Sequence, residues 1–209
     1  MSDREAKQFQ EIFNVSRETI ERLDAYRALL ERWNARMNLV SKQSITEFWT
    51  RHAADSAQIA QICRGGTGNW VDLGSGGGFP AVVLAVIFAG ESREIQMTMV
   101  ESDMRKASFL RAALRETGVP GRVEAQRIEK LAPMNADFIS ARALAPLHKL
   151  VGYAKRHGAP AGKAFFLKGA KAEEEIKEAL VSWRFDVEKF PSKTDPAALV
   201  LKIGGIARE

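Results

Sequence analysis

Asp72 and Glu101 are two acids set where they could grip a small polar ligand, with a glycine-rich turn following the first. In Val71-Asp72-Leu73-Gly74-Ser75-Gly76-Gly77-Gly78-Phe79-Pro80, a short apolar run carries an acid near its end, and four of the five positions 74–78 are glycine. Stripping side chains from a turn lets backbone lie against a ligand that a Cβ would push away. An acid just before such a loop suits an ammonium group better than a pyrophosphate. Glu101 ends a second apolar run, Met97-Thr98-Met99-Val100, 23 residues beyond Gly78. A carboxylate about 20 residues past the glycines can accept both ribose hydroxyls of an adenosine. A dinucleotide fingerprint counted from Gly74 fails at Phe79, whereas counted from Gly76 it closes on Ala81, so NAD stays open on the motif alone.

The elements that must position these residues follow from periodicity. Ile20, Leu23, Tyr26, Leu30, Trp33 and Met37 recur at three- and four-residue steps, which predicts a helix starting near Ser16. Ser44-Ile45-Thr46-Glu47 reads as a capping box opening a second helix, with Phe48, His52, Ile59 and Cys63 on one side. Pro80 is placed at the first position of a helix through Ala89, with Gly90 as its left-handed stop. A helix from Met104 to Thr117 ends at Gly118, and short strands follow around Val123 and Phe138 to Ser140. Pro146 to His157 is a helix stopped by Gly158-Ala159-Pro160; Lys163 to Lys168 is a strand, and Ala172 to Trp183 a helix. Alternating strands and helices argue for a mainly parallel sheet covered on both faces. Arg184 to Phe190 and Ala197 to Ile203 are strand-like runs with no helix between them, so they pair antiparallel and the last strand inserts against the others. Residues 1–68 are expected to form an N-terminal helical extension packed on the core, and 69–209 the α/β domain, as a single structural unit.

Composition sets the outer limits. A chain of 209 residues, 45% hydrophobic, supports one domain with a sizeable core. Its single cysteine, Cys63, excludes internal disulfides and argues against a cysteine-based metal cluster; no metal site is expected. The charged start Met1-Ser2-Asp3-Arg4-Glu5 lacks the apolar core of a signal peptide. The longest apolar run, Ala81 to Ala89, is half a membrane span. The expectation is a cytoplasmic protein with no membrane partner, acting as a monomer. A formal charge of +5 permits a polyanionic partner without demonstrating one.

Assembled in order, Trp33-Asn34, Asn38-Leu39, Arg51-His52-Ala53-Ala54-Asp55-Ser56, the glycine turn, Ile139-Ser140-Ala141-Arg142-Ala143 and Leu167-Lys168-Gly169 resemble the RsmG (GidB) family. Those bacterial enzymes methylate guanine N7 in 16S ribosomal RNA with S-adenosylmethionine. The resemblance runs from about Tyr26 to Ile203, and its specific part is the pairing of R-H-x-x-D-S with S-x-R-A. It implies an α/β, Rossmann-like S-adenosylmethionine-dependent methyltransferase fold, with a seven-stranded mainly parallel sheet ending in an antiparallel hairpin. It further implies a cofactor site of Gly74, Phe79, Glu101, Ile128, Glu129 and Arg142, to which the reading of the glycine turn adds Asp72, Gly76 and Gly78. Glu101 would sit at the ribose, Ile128 and Glu129 at the adenine, and Arg142 at the methionine end. Arg51, His52, Asp55, Ser56 and Lys168 are the candidate substrate-site residues, with a hydrogen-bonded cluster joining that helix to the sheet an equal reading of His52, Asp55 and Ser56; 16S rRNA within the small subunit or its precursor is the implied partner. Many relatives read S-R-A directly; here Ala141 intervenes before Arg142, which unsettles the register of that arginine.

Guanine N7 holds an in-plane lone pair, so methylation there requires no general base and no catalytic residue is assigned. Alignment and tolerance of positive charge on the base carry the rate. The chain lacks the Asn/Asp-Pro-Pro-aromatic motif of adenine amino methylation, and Cys63 is followed by Arg64 rather than set in a Pro-Cys nucleophile context. Arg51, Arg105, Lys106, Arg127, Lys149, Lys155, Arg156, Lys168 and Lys171 are the basic candidates for RNA contact, and Trp49 a candidate stacking platform. A dehydrogenase, a small-molecule methyltransferase and a non-catalytic assembly factor that keeps the cofactor pocket remain as rival readings.

Overall fold

The computed structural model describes residues 2–209. Four N-terminal helices, α1 (Ser2–Phe13), α2 (Arg17–Asn34), α3 (Lys42–Thr46) and α4 (Ala54–Ile62), precede the sheet, with a π-helical turn at Phe48–Ala53 between the last two. Then come β1 (Gly68–Leu73), α5 (Ala81–Gly90), β2 (Ile95–Val100), α6 (Met104–Thr117) and β3 (Arg122–Glu124). The second half runs β4 (Ala136–Arg142), α7 (Leu147–His157), β5 (Gly158–Lys168), α8 (Ala172–Ala179), β6 (Trp183–Pro191) and β7 (Leu199–Arg208). The sheet order is β3-β2-β1-β4-β5-β7-β6. Strands β1 to β5 pair in parallel, and β7 inserts antiparallel between β5 and β6, as the terminal hairpin requires.

Successive strand residues feed opposite faces, the period-2 rule made visible. Trp70, Met97, Met99 and Phe165 join the core under the N-terminal helices, α5 and α6. Val71, Val100, Ile139 and Phe166 join the core under α7 and α8. Helix α5 is apolar all round because it is covered twice, by the sheet and by α2 and α4; every residue from Ala81 to Phe88 is buried. No helix among the described residues is long and apolar enough to cross a membrane. The N-terminal helices share this core: Phe9, Leu23 and Tyr26 pack in one cluster with Val82 and Phe109.

Several local expectations are corrected. Ser44 opens no helix; Ser41 is the N-cap, accepting the Ser44 N–H at 3.2 Å, while Glu47 is spent on an ion pair with Arg51. The single helix expected from there is divided into α3, the π turn and α4. Pro80 precedes α5 as its N-cap instead of opening it. Gly90 closes α5 without a positive φ, and Ser92 takes the left-handed conformation. What Gly90 supplies is space: a methyl there would collide with Thr19 Oγ1 at the start of α2. Helix α7 ends at His157 with Gly158 as its C-cap, as expected, though Gly158-Ala159-Pro160 already begins β5; Trp183 opens β6 four residues after α8 has ended.

At the glycine turn the N-terminal extension meets the sheet. The hydroxyl of fully buried Tyr26 donates to Gly77 O. Its ring lies 5.5 Å from Phe79 and 5.7 Å from Phe48. Gly78 has φ +90°, and a methyl there would lie 2.6 Å from Tyr26 Oη and 2.7 Å from Val82 Cγ2. Gly78→Ala should therefore cost about 2–4 kcal/mol, from left-handed strain plus overpacking. Urea denaturation should show this as a lowered midpoint; an unchanged midpoint would remove the turn from the set of stability determinants.

Candidate active site

Strand β1 has parallel neighbours on both sides, β2 leading one way along the sheet and β4 the other, so a crevice opens beyond its carboxyl end. The same edge carries the ends of β2 at Glu101 and β4 at Arg142. A cleft of about 530 Å³ lies there. Gly74, Gly76, Phe79, Glu101, Ile128, Glu129 and Arg142 line it, seven of the nine candidate cofactor residues. Asp72 and Gly78 lie behind its wall.

Glu101 is the keystone of the wall. Its Oε2 accepts the Gly76 N–H at 2.9 Å and its Oε1 the Asp103 N–H at 2.8 Å. Asp103 in turn caps α6 through the N–H groups of Arg105 and Lys106. A carboxylate has about four acceptor sites, so each oxygen keeps capacity for a ligand hydroxyl. Ser75 N–H donates to Val100 O at 3.0 Å, and Gly78 N–H to Ser75 O at 2.7 Å, which fixes the turn's curl. Across the cleft, Ile128 is buried in a 3-10 turn while Glu129 is exposed and accepts the Tyr153 hydroxyl. That bond holds the Glu129 carboxyl below its ordinary range.

Asp72 is fully buried. Ser140 Oγ donates to its Oδ1 at 2.5 Å and is itself held by the Trp70 indole N–H at 2.9 Å. Oδ2 has no partner. Burial pushes the Asp72 carboxyl up to about 7.

Arg142 stands where two cavities meet. Its guanidinium lies 4.7 Å from the Phe79 ring centre, and Nη1 lies 3.7 Å from Asp55 Oδ2. It lines the first cleft and also a second one of about 800 Å³, whose wall includes Arg51, Asp55, Lys168 and Thr194. The inserted Ala141 points into the α7–α8 core, and Arg142 still ends β4 in the crevice. Of the candidate substrate residues, Arg51, Asp55 and Lys168 face the second cleft, and His52 and Ser56 do not. His52 is buried and stacked on Phe79 at 4.6 Å, with neither ring nitrogen partnered. Burial, then the charges of Arg142 and Arg51, pull its pKa down to about 3, so it is neutral. Ser56 donates back to His52 O at 2.7 Å, a bond that joins α4 to the π turn before it.

Among the basic candidates, Lys106, Arg127 and Lys149 line the first cleft. Lys155 and Arg156 are tied elsewhere, to Ile206 O and Leu131 O. Trp49 is core, packed on Phe9 and Phe48. Leu39, Val40, Leu144 and Tyr153 are among the cleft residues that the sequence reading does not assign to it. The first two come from the loop after α2, where Asn34 Oδ1 accepts both their N–H groups at 2.8 and 3.0 Å. Asn34 and Asn38-Leu39 were the available signal. Leu144 sits where a methyl on Gly74 would come within 2.5 Å of it. Nothing in the spacing points to Tyr153.

The buried acid has a measurable consequence. The folded state retains a proton on Asp72 that the unfolded chain releases near pH ~4. For this group, stability is highest below pH ~4 and falls as pH rises through the window from about 4 to about 7. Asp72→Asn removes that slope, so its stability relative to the parent should improve steadily from pH 5 to pH 7 in urea titrations (values on the order of the pKa window). Parallel curves for the two proteins would show an Asp72 that titrates normally.

Solved structures share this architecture at low identity. A ribosomal protein L11 methylase from Lactobacillus delbrueckii subsp. bulgaricus superposes with TM-score 0.56 at 16% identity, over 74% of this chain and 76% of that one. The N-methyltransferase NodS from Bradyrhizobium japonicum, solved with S-adenosyl-l-homocysteine, gives TM-score 0.56 at 13% identity, over 86% of this chain and 96% of that one. These likenesses establish the methyltransferase fold. In sequence, the ribosomal RNA small subunit methyltransferase G of Ruegeria pomeroyi is 48% identical, over 93% of this chain and 95% of its own length. That of Rhodospirillum centenum is 47% identical, over 97% and 91%. The GidB family model, described as rRNA small subunit methyltransferase G, matches residues 19–198, and with relatives this similar along nearly their whole lengths the chain belongs to that family.

Proposed function

We propose that the protein, as a monomer, transfers a methyl group from S-adenosylmethionine to N7 of a guanine in the 16S rRNA of the small ribosomal subunit or its precursor. The observation that carries this reading is the meeting of the two clefts at Arg142, a fixed cation that borders both. Asp55 faces the Arg142 cation, and His52 is neutral and turned away from both cavities. Attack by an in-plane purine nitrogen needs no proton removed and so asks of these residues only position and charge.

The residues present fit the cofactor. Bare backbone at Gly74 and Gly76 allows close approach, and the spare acceptor sites of Glu101 suit two ribose hydroxyls. Ile128 offers an apolar surface and Glu129 an acceptor at the far end, as an adenine requires. Arg142 matches a carboxylate, and an ammonium brought near the unpartnered Asp72 oxygen would favour the charged form of that carboxyl. When bound, the cofactor supplies an electrophilic methyl group on a sulfonium. The protein's part is alignment, exclusion of water and tolerance of charge arriving on the purine. Basic side chains at the mouth, Lys106, Arg127 and Lys149, suit a phosphate backbone.

Small subunits from a strain lacking the gene should accept labelled methyl from the purified enzyme, and mass spectrometry should locate it as one 7-methylguanosine in 16S rRNA. No transfer, or transfer to another atom, would end the proposal. Arg142→Ala should weaken S-adenosylhomocysteine binding about 10- to 100-fold by calorimetry, the range of a charge-assisted contact. Glu101→Ala should do the same, with a loss of stability because Gly76 and Asp103 lose their shared acceptor. Unchanged affinity in either folded variant would refute that residue's role.

A further inference from the structure

We infer that Asp55 is the residue that reads guanine, its Oδ2 accepting the N1–H of the base held in the second cleft. This rests on the acceptor cleft proposed above and assigns its specificity. Four acids line that cleft: Glu47, Asp55, Glu175 and Asp195. Glu47 is ion-paired to Arg51 at 3.1 Å, and Glu175 holds both Lys168 Nζ and the Leu147 N–H through one oxygen at 2.6 Å. Asp195 caps its own loop at the Ala197 N–H. Asp55 alone among them lies against Arg142, the side chain shared with the cofactor cleft, and so borders the place where a methyl could cross.

Its carboxylate is oriented but not used up. Oδ1 accepts Gln58 Nε2 at 2.9 Å and Thr194 Oγ1 at 3.2 Å, which fixes the plane of the group from two different elements. Oδ2 has only Arg142 at 3.7 Å, too far for a hydrogen bond. An arginine drawn to a cofactor carboxylate would leave that oxygen to the base.

Guanine presents N1–H and a 2-amino group on its pairing edge, both donors, whereas adenine presents a bare N1 lone pair. A half-buried acceptor-only carboxylate welcomes the first and repels the second. The contact also strengthens along the reaction. As N7 gains the methyl, positive charge spreads over the purine and N1–H becomes a better donor, so binding energy is gained in the transition state. The anion beside the ring stabilises the same charge.

The test uses a small-subunit RNA carrying 2-aminopurine, which lacks the N1–H, at the one guanosine the parent enzyme methylates. In single turnover at saturating cofactor, the parent should methylate guanosine on the order of 100-fold faster than 2-aminopurine. Asp55→Asn should slow guanosine on the order of 30-fold and shrink the guanosine to 2-aminopurine ratio below about 5, because its amide can donate to the bare N1. Thr194→Val, which keeps the carboxylate and frees Oδ1, should fall between the two in the same ratio. S-adenosylhomocysteine affinity of Asp55→Asn should stay within about threefold of the parent, which also shows that the variant folds. Equal slowing on both bases, or lost cofactor binding together with it, would make Asp55 a structural residue and overturn the inference. A parent enzyme that methylates no guanosine would overturn the acceptor reading as well.

Discussion

One carboxylate ties the glycine turn of this protein to its frame. Glu101 leaves β2 and accepts backbone N–H groups from Gly76 on one side and Asp103 on the other. The first bond holds the turn after β1 against the neighbouring strand; the second sets the start of α6, whose N-cap is Asp103 itself. From the opposite side the Tyr26 hydroxyl holds Gly77 O, so the turn is clamped between sheet and N-terminal extension. A glycine-rich loop has more conformational entropy to lose than any other segment, and without such clamps it would not keep a cavity open. The same atoms that shape the loop present the cleft with its acceptor.

A second theme is charge kept under cover. Asp72, Arg142 and Asp55 form a line of buried or half-buried ionisable groups with few direct bonds among them. Burial raises both acids and lowers the arginine, which nonetheless stays protonated because guanidinium holds its proton so tightly. A half-buried ion pair at 3.7 Å with incomplete hydrogen bonding recovers little of its desolvation cost. Such an arrangement is poor as a staple. It suits a site whose ligand brings its own ammonium and carboxylate and completes the unfinished pairs. Phe79 adds an aromatic face to Arg142 while His52 stacks on the ring, so a neutral imidazole there serves packing.

The chain's own pattern made much of this visible. Helix α6 was legible to the residue because apolar periodicity, an aspartate cap and a glycine stop agree. The insertion of β7 followed from two strands joined without a helix. Seven of the nine candidate cofactor residues share one cleft because strand ends of a parallel sheet converge on a single edge. Elsewhere local signals competed. Ser41 and Ser44 are both good caps, and which one opens the helix is decided by Glu47 finding Arg51 instead of reaching back. Gly90 looked like a stop because glycine usually is one, yet its missing Cβ answers to Thr19, 71 positions away.

By itself the sequence determined the alternation of strands and helices, the bare turn, the acid at the end of the second strand and the family resemblance. These rest on local steric preference and on patterns only a few residues long. Tertiary structure decided which groups face which cavity. It set Asp72 and Gly78 behind the wall, turned His52 inward, brought Leu39 and Val40 over the glycine turn, and stood Arg142 between two clefts. Orientation of that kind depends on contacts between segments far apart in the chain, whose energies no short stretch encodes.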